Sequence, residues 1–472
     1  MWTDRLIWRL VVGPAVFLAL VLGPPRPVAA QAQNPFLGSV PAGPATGTTL
    51  DLSLPDALDR ALKSNLGAIE GRENTRAAEA IRLRSLNALV TDLTARVGAS
   101  SNEINPKAEG LNITIPGVTL PAVFGPFGVN DARVSVTQEL YNRSDLEGLK
   151  ASTELTKAAR YAYANDRETV VFTAGAAYLI VIADAAAVDS IQAQLVTAQT
   201  LYRQDQDKNA QGVIAKIDVL RAQVELQTEQ QRLIAAQNQL SIDKLALARV
   251  IGLANAQEFR LTDTVPYSPL ADLTLEQALS QAGATRPDYL GAKRQVAAAE
   301  LTLRASAAEA YPSASAAADY GEIGSPNFGS AHVTFSAAVA LAIPIFQGTK
   351  VRADRLQASA ALEARKAELA DLGARIDDQV RTTFYNLNST SELVAVARSN
   401  VELADQTLTQ ARDRNAAGVA DNLEIVQAQE SVASANQSYI ASLYAFNVAK
   451  LSLAQVLGVA EQEAVAYLLG RK

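Results

Sequence analysis

The spacing of apolar positions switches between two periods along the chain, and it does so in the same order in both halves. Residues 53 to about 89 and 274 to about 310 carry apolar side chains at helical spacing. Each run opens on a hydroxyl residue with an acid or amide three positions on, Ser53 with Asp56 and Thr274 with Gln277, the signature of a capped helix start. Four segments then alternate with period two: 92–99, 133–140, 313–320 and 332–339. One face is apolar or small and the other mostly polar, which predicts strands. A Pro/Gly-rich loop, 102–130, separates the first two, and a shorter one, 321–331, the last two. Each half therefore holds one strand hairpin, at about 91–141 and about 311–346.

After each hairpin the helical period returns and persists. Residues 142–206 contain no proline and only Gly148 and Gly175 as glycines, and a helix of that length spans roughly 95 Å. Residues 349–413 are its counterpart. Both break at a glycine, Gly212 or Gly418, with tips near 206–217 and 412–422, before return helices over 217–251 and 422–457. Apolar residues recur every seven positions in these helices. The series are Val219, Leu226, Leu233, Leu240 and Leu247; Leu387, Val394, Val401 and Leu408; and Ile425, Val432, Tyr439, Phe446 and Leu453. A sustained seven-residue repeat predicts a left-handed coiled coil.

The two halves match residue by residue in places. Lys208-Asn209-Ala210-Gln211-Gly212-Val213 parallels Arg414-Asn415-Ala416-Ala417-Gly418-Val419, and Val250-Ile251-Gly252-Leu253 parallels Val456-Leu457-Gly458-Val459. This predicts a duplicated protomer. Residues 51–253 form the first repeat, 254–272 a linker, 273–459 the second repeat and 460–472 a C-terminal tail. Residues 31–50, rich in Gly, Pro, Thr and Ala, read as a flexible N-terminal tail. Residues 1–30 read as a signal peptide: Arg5 and Arg9 precede a short apolar run, and Val28-Ala29-Ala30 offers small residues for cleavage. Their removal takes away three arginines and one aspartate, so the formal charge falls from −7 to about −9. That balance does not favour nucleic acid. No later stretch holds 18 continuous apolar residues, so no transmembrane helix is expected.

Few residues point to catalysis. There is no cysteine, hence no thiolate metal site or cysteine nucleophile. His332, the only histidine, falls on the polar face of a predicted strand. The pairs Asp205/Asp207 and Asp377/Asp378 lie on long helices, where solvated acids are expected. No glycine-rich phosphate loop is present. No cofactor, metal site or enzymatic activity is expected; the remaining enzymatic reading, an exported hydrolase with a serine or carboxylate site, lacks a candidate nucleophile–base constellation.

The strands say more. Four strands cannot close a barrel alone, and an open sheet in lipid would leave unpaired edges. Phe124, Phe127, Tyr141, Tyr311, Tyr320, Phe328 and Phe346 cluster near the strand ends, as in a membrane-interface girdle. A small soluble sandwich with aromatic turns is the other reading.

With Gln138-Glu139-Leu140-Tyr141 and Ile343-Pro344-Ile345-Phe346-Gln347-Gly348 at the strand–helix junctions, the chain resembles the TolC-like outer-membrane efflux proteins over residues 50–460. The resemblance implies a mainly α protein with membrane β: a homotrimer whose four strands per protomer pool into a 12-stranded β-barrel. That barrel would continue into a long α-helical coiled-coil barrel. It implies an exit duct for a tripartite efflux or type I secretion system, set in the outer membrane lipid of a Gram-negative-type bacterium and extending into the periplasm. Its partners would be a periplasmic adaptor (membrane fusion) protein and an inner-membrane pump. Gly212, Val213, Asp218, Gly418, Val419 and Asp421 match the adaptor-contacting tips. Glu424 and Gln427 match acidic rings at the entrance. Glu424 keeps the acid, Gln427 does not, and Ala420 stands where the family often has a basic gate residue. For Glu424 a solvated first-turn acid, stabilised by the helix dipole, stays open. The alternative class is a periplasmic adaptor or coiled-coil scaffold protein.

Overall fold

The computed structural model describes residues 34–108, 110, 117, 121–264, 267–269, 273–325, 330–417, 419 and 422–470. The segment expected as a signal peptide lies outside them, as do Phe328, Gly418, Ala420 and Asp421. Residues 35–472 form one compact unit.

Each helical run that precedes a hairpin is two helices rather than one. Ser53 caps α1 (Leu54–Ser64), accepting from the Asp56 amide at 3.3 Å. The chain bends at Asn65, whose side chain caps α2 (Leu66–Asn87), accepting from the Gly67 amide at 3.0 Å. In the second half Thr274 and Gln277 form a reciprocal capping box on α5 (Leu275–Thr285). Pro287 then forces Arg286 out of the helical region, to φ −59° and ψ 118°, before α6 (Pro287–Ala308). Both bends are clamped by a glycine of positive φ at the end of a return helix. A Cβ on Gly252 (φ 72°) would lie 2.2 Å from Ser64 Oγ, and one on Gly458 (φ 73°) would lie 2.9 Å from Arg286 Cα. The matching Gly252 and Gly458 tetrapeptides thus seat each return helix on the bend of its own half.

The long helices run further than their pattern predicts. α3 (Arg143–Ala210) has 68 residues and spans roughly 100 Å; α7 (Lys350–Ala416) is its counterpart. Asn142 caps α3, accepting from the Ser144 and Asp145 amides at 3.0 and 3.3 Å. The returns are α4 (Lys216–Val250) and α8 (Asn422–Val456). The two coiled hairpins meet where α3 packs on α8. Heptad positions Val219, Leu247, Leu387, Val394, Leu408, Ile425, Val432, Phe446 and Leu453 are buried, as a knobs-into-holes seam requires.

The main core sits at the waist, where α1, α3, α4, α8 and α9 (Ala460–Leu469) converge. α3 contains an 18-residue window apolar enough to cross a membrane by length and composition. Its Val170, Val171, Ala174, Tyr178, Leu179 and Val181 are core residues here, so packing against protein accounts for part of that hydrophobicity. Residues 460–472, expected as a tail, contain α9 instead. Ala460, Ala464 and Leu468 are buried, and Glu168 of α3 accepts from the amides of Ala460 and Glu461 at 2.5 and 3.3 Å. Residues 31–50 and 254–272 are likewise tied down within the described residues. β1 (Leu50–Leu52) pairs in parallel with β4 (Phe259–Leu261), in the register Leu50 to Phe259. Tyr178 Oη lies 3.1 Å from the Leu52 carbonyl and 3.0 Å from the Asp263 carboxylate. These contacts are non-local, which is why polar, glycine-rich sequence did not reveal them.

Candidate functional site

The remaining strands, β2 (Asp92–Ile104), β3 (Phe124–Tyr141), β5 (Ser313–Ser325) and β6 (Ser330–Ala342), form one antiparallel sheet in the order β2-β3-β5-β6. The register sorts its two faces cleanly. Leu93, Val136, Ala318 and Ala337 lie in one row, and Ala95, Val134, Tyr320 and Phe335 in the next. On the opposite face Thr94, Ser135, Asp319 and Ser336 align, followed by Arg96, Arg133, Gly321 and Thr334. A Cβ on Gly321 would come within 2.1 Å of the Ala132 carbonyl, so only glycine admits this approach of β5 to β3. Like charges meet at Arg96 and Arg133, which is unfavourable alone. Arg133 is compensated by Asp131 and, at 3.7 Å, by Asp319.

The apolar face has no cover. Val97 is 86% exposed, Val339 76% and Phe335 69%. Among the described residues no helix lies over it, and β2 and β6 are edges without a further strand. The expected aromatics divide. Tyr141, Tyr311 and Phe346 gather at the helix end of the sheet, all exposed, with Ile343 and Ile345 beside them. Tyr320 instead sits in the body of the sheet, paired with Val134 and Phe335. Phe335 was passed over in sequence because an alternating strand gives no sign of which apolar residue is central.

At the far end of the hairpins the described residues of the two tips make the same backbone contact. Gly212 adopts φ 72°, and the Val213 amide reaches back to the Lys208 carbonyl at 2.8 Å. In the second tip the Val419 amide reaches the Arg414 carbonyl at 2.9 Å. Val213 and Val419 are 66% and 70% exposed. Asn209 Nδ2 donates to the Ile214 carbonyl at 2.8 Å, and Asp218 pairs with Arg221 at 3.3 Å. Lys208 Nζ donates to Asn415 Oδ1 at 3.3 Å, joining the tips. Ile425 and Ala428 are buried in a small core between the hairpins. Glu424 is partly exposed and Gln427 exposed. Glu424 is met by Arg414 across the turn at 3.2 Å, a pairing that the sequence alone did not disclose.

A second set of apolar residues lines the outer edges of the hairpins. On α4 these are Ile217, Leu220, Val224, Ile234, Ile242 and Leu245; on α7 they are Leu356, Tyr385, Leu393, Val396 and Leu403. All are exposed, at near-heptad spacing, on the helices that flank the α3–α8 contact. Among the described residues no group of three or more acid, histidine or cysteine side chains is arranged to hold a metal ion.

Comparison with known proteins places these features. A sequence profile described as outer membrane efflux protein matches residues 125–253 and 278–459. Outer membrane protein TolC of Escherichia coli (strain K12) is 21% identical over 349 residues, 70% of each chain. The outer membrane protein VceC of Vibrio cholerae superposes with a TM-score of 0.71 at 17% identity, over 86% of this chain and 96% of that one. The CmeC outer membrane channel of Campylobacter jejuni gives 0.71 at 15% identity, over 90% and 92%. At such identities the likeness is one of fold.

Proposed function

Because the chain belongs to the outer membrane efflux protein family, we propose that three copies close one duct, each contributing its four strands to a 12-stranded barrel. The protein is an outer-membrane efflux duct of the TolC-like kind, from a family of channels rather than enzymes. The observation that carries the trimeric reading is the sheet. It has an uncovered apolar face, a polar face and two open edges, and in a bilayer every edge must be paired. Pairing β2 of one copy with β6 of the next satisfies the backbone, turns the Val97–Phe335 face to lipid and turns Arg96, Arg133 and Asp319 inward. The exposed seams of α4 and α7 supply a matching helical contact, α4 of one copy against α7 of the next, extending the barrel as a coiled-coil cylinder.

In this reading the tips are the entrance. A periplasmic adaptor engages Gly212, Val213, Asp218, Gly418, Val419 and Asp421, and an inner-membrane pump supplies the energy. Val213 and Val419 offer that adaptor an apolar contact. Passage is passive, through an aqueous lumen, and opens when the tip helices part and the Lys208–Asn415 link is lost. A ring of Glu424 is balanced by Arg414 in each copy, and Gln427 adds no charge, so the entrance is close to neutral. Multivalent cations should block it weakly. Tyr141, Tyr311 and Phe346 stand at the periplasmic interface of the membrane. Single-channel recording in planar bilayers tests the reading. Discrete steps of one size, with weak ion selectivity, are expected, and a protein that never conducts would refute the duct.

A further inference from the structure

Positive charge gathers in one row of the sheet's polar face. Arg96 of β2 stands directly opposite Arg133 of β3, an arrangement that repels unless acids intervene. Two acids do, and both serve Arg133. Asp131 accepts from Arg133 Nε at 2.6 Å and, through its other oxygen, from Nη2. Asp319 of β5 lies 3.7 Å from Arg133 Nη1 and also accepts from the Ser336 hydroxyl. Arg96 is exposed, and among the described residues it makes no ion pair or hydrogen bond. The other acids of this face lie at its helix end. Asp92 is four residues from Arg96 along β2, and Glu139 is six residues from Arg133 along β3, about 13 and 20 Å at the rise of a strand. Exposed charges that far apart are largely screened, since the Debye length in physiological salt is about 8 Å.

Assembly does not supply the missing acid. The strand that the trimeric reading sets beside β2 is β6 of the next copy. On its polar face β6 carries His332, Thr334, Ser336, Ala338 and Ala340, none of them acidic. Outward of the arginine row the same face turns apolar. Ile323 of β5 stands opposite Asp131, and Val129 and Phe127 follow on β3, all three half-buried. A free guanidinium beside such a patch suits an anion that carries an apolar body. The planar fork of donors fits the oxygens of a carboxylate, sulfonate or phosphate, and the body leaves water against Ile323 and Val129. We propose that Arg96 is a specificity-determining residue of the barrel lumen, one per copy, which holds amphiphilic organic anions as they pass. The proposal rests on the trimeric reading, which turns this face inward. Arg133, with both its acids engaged, keeps the row in place and leaves the anion to Arg96.

Single-channel recording of the full chain in planar bilayers tests it, with potassium 2-naphthalenesulfonate as the anion. Potassium methanesulfonate, which lacks the apolar body, and tetraethylammonium chloride, which lacks the negative charge, are the controls. Naphthalenesulfonate should lower the step size saturably, methanesulfonate far less and tetraethylammonium not at all. Arg96→Gln should raise the half-effective concentration at least threefold and shift the reversal potential in a potassium chloride gradient toward cations. Arg96→Lys keeps the charge but not the fork, so it should hold the reversal potential while losing part of the naphthalenesulfonate effect. Arg96→Gln also relieves the repulsion with Arg133, and Arg96→Lys provides a second reading should it assemble poorly. Normal steps whose response to naphthalenesulfonate survives Arg96→Gln undiminished would overturn this site and leave the duct standing. An equal response to methanesulfonate or to tetraethylammonium would equally overturn it. A protein that never conducts would refute the duct, and the lumenal site with it.

Discussion

The sheet and the waist spend their apolar residues in opposite ways. At the waist Leu52, Leu54, Leu247, Leu451, Leu453 and Leu457 are fully buried by protein, and burial of such side chains is the main source of folding stability. In the sheet Leu93, Val97, Phe335 and Val339 are as apolar and lie open. The waist buries its apolar residues within the chain, whereas the described chain leaves one face of the sheet open; on the proposed trimeric reading, lipid and the strands of other copies complete it. An amphipathic pattern states that a face needs a cover; it does not say whether that cover is protein or membrane.

The contrast can be broken most severely at the waist. Leu453→Ala removes a fully buried side chain and should cost about 2–5 kcal/mol, lowering the melting midpoint of the helical circular dichroism signal. Next, Phe335→Arg should cost about 2–4 kcal/mol if its face meets the bilayer, whereas the same change at Thr94, on the other face, should cost far less. Yield of protein assembled in outer membranes reads this directly, and equal yields for the two would deny the two faces different surroundings.

A smaller effect concerns two acids of α3, Asp184 and Glu168. Burial, with Asp243 adjacent, pushes the Asp184 carboxyl up to about 7, and burial does the same to Glu168, also to about 7. Asp184 shares its cavity with Arg232, Glu430 and Tyr444. A carboxyl whose proton is held more tightly in the folded state stabilises that state at low pH. The contribution is lost as pH rises from the ordinary carboxylate range through about 7. The melting midpoint should therefore fall between pH 5 and pH 7.5, and Asp184→Asn should flatten that fall. Smallest in stability is the tip pair. Removing Arg414 should cost about 0.2–1 kcal/mol, as for other exposed ion pairs. Its effect on permeation should be clearer: Arg414→Ala removes the positive charge 3.2 Å from Glu424 and shifts the reversal potential toward cations, with stronger divalent block. Glu424→Ala should shift it toward anions. Unchanged reversal potentials in both would remove this pair from the entrance.

Much of this architecture was legible because period is a local property. The strand alternation at 92–99 and 332–339 and the heptads from Leu387 to Leu408 need no tertiary information, and the strands and seams lie where those periods put them. What escaped depends on distant contacts. The bend at Asn65 is fixed by Gly252, nearly two hundred residues away, and α9 is capped by Glu168 of α3. Pro287 was a local signal for the second bend, outweighed by the helical spacing around it. The outer stripes on α4 and α7 were hidden because each helix carries two apolar seams and the stronger one, facing its own hairpin, dominates the pattern. The Arg414–Glu424 pair joins two residues across a turn, a distance that spacing alone does not set.

The most direct measurement is the mass of the mature protein extracted from outer membranes in mild detergent, by light scattering corrected for bound detergent. Three chains per particle is the predicted result, since only pooled strands close the sheet. A single chain per particle, or recovery in the soluble periplasmic fraction, would contradict the account.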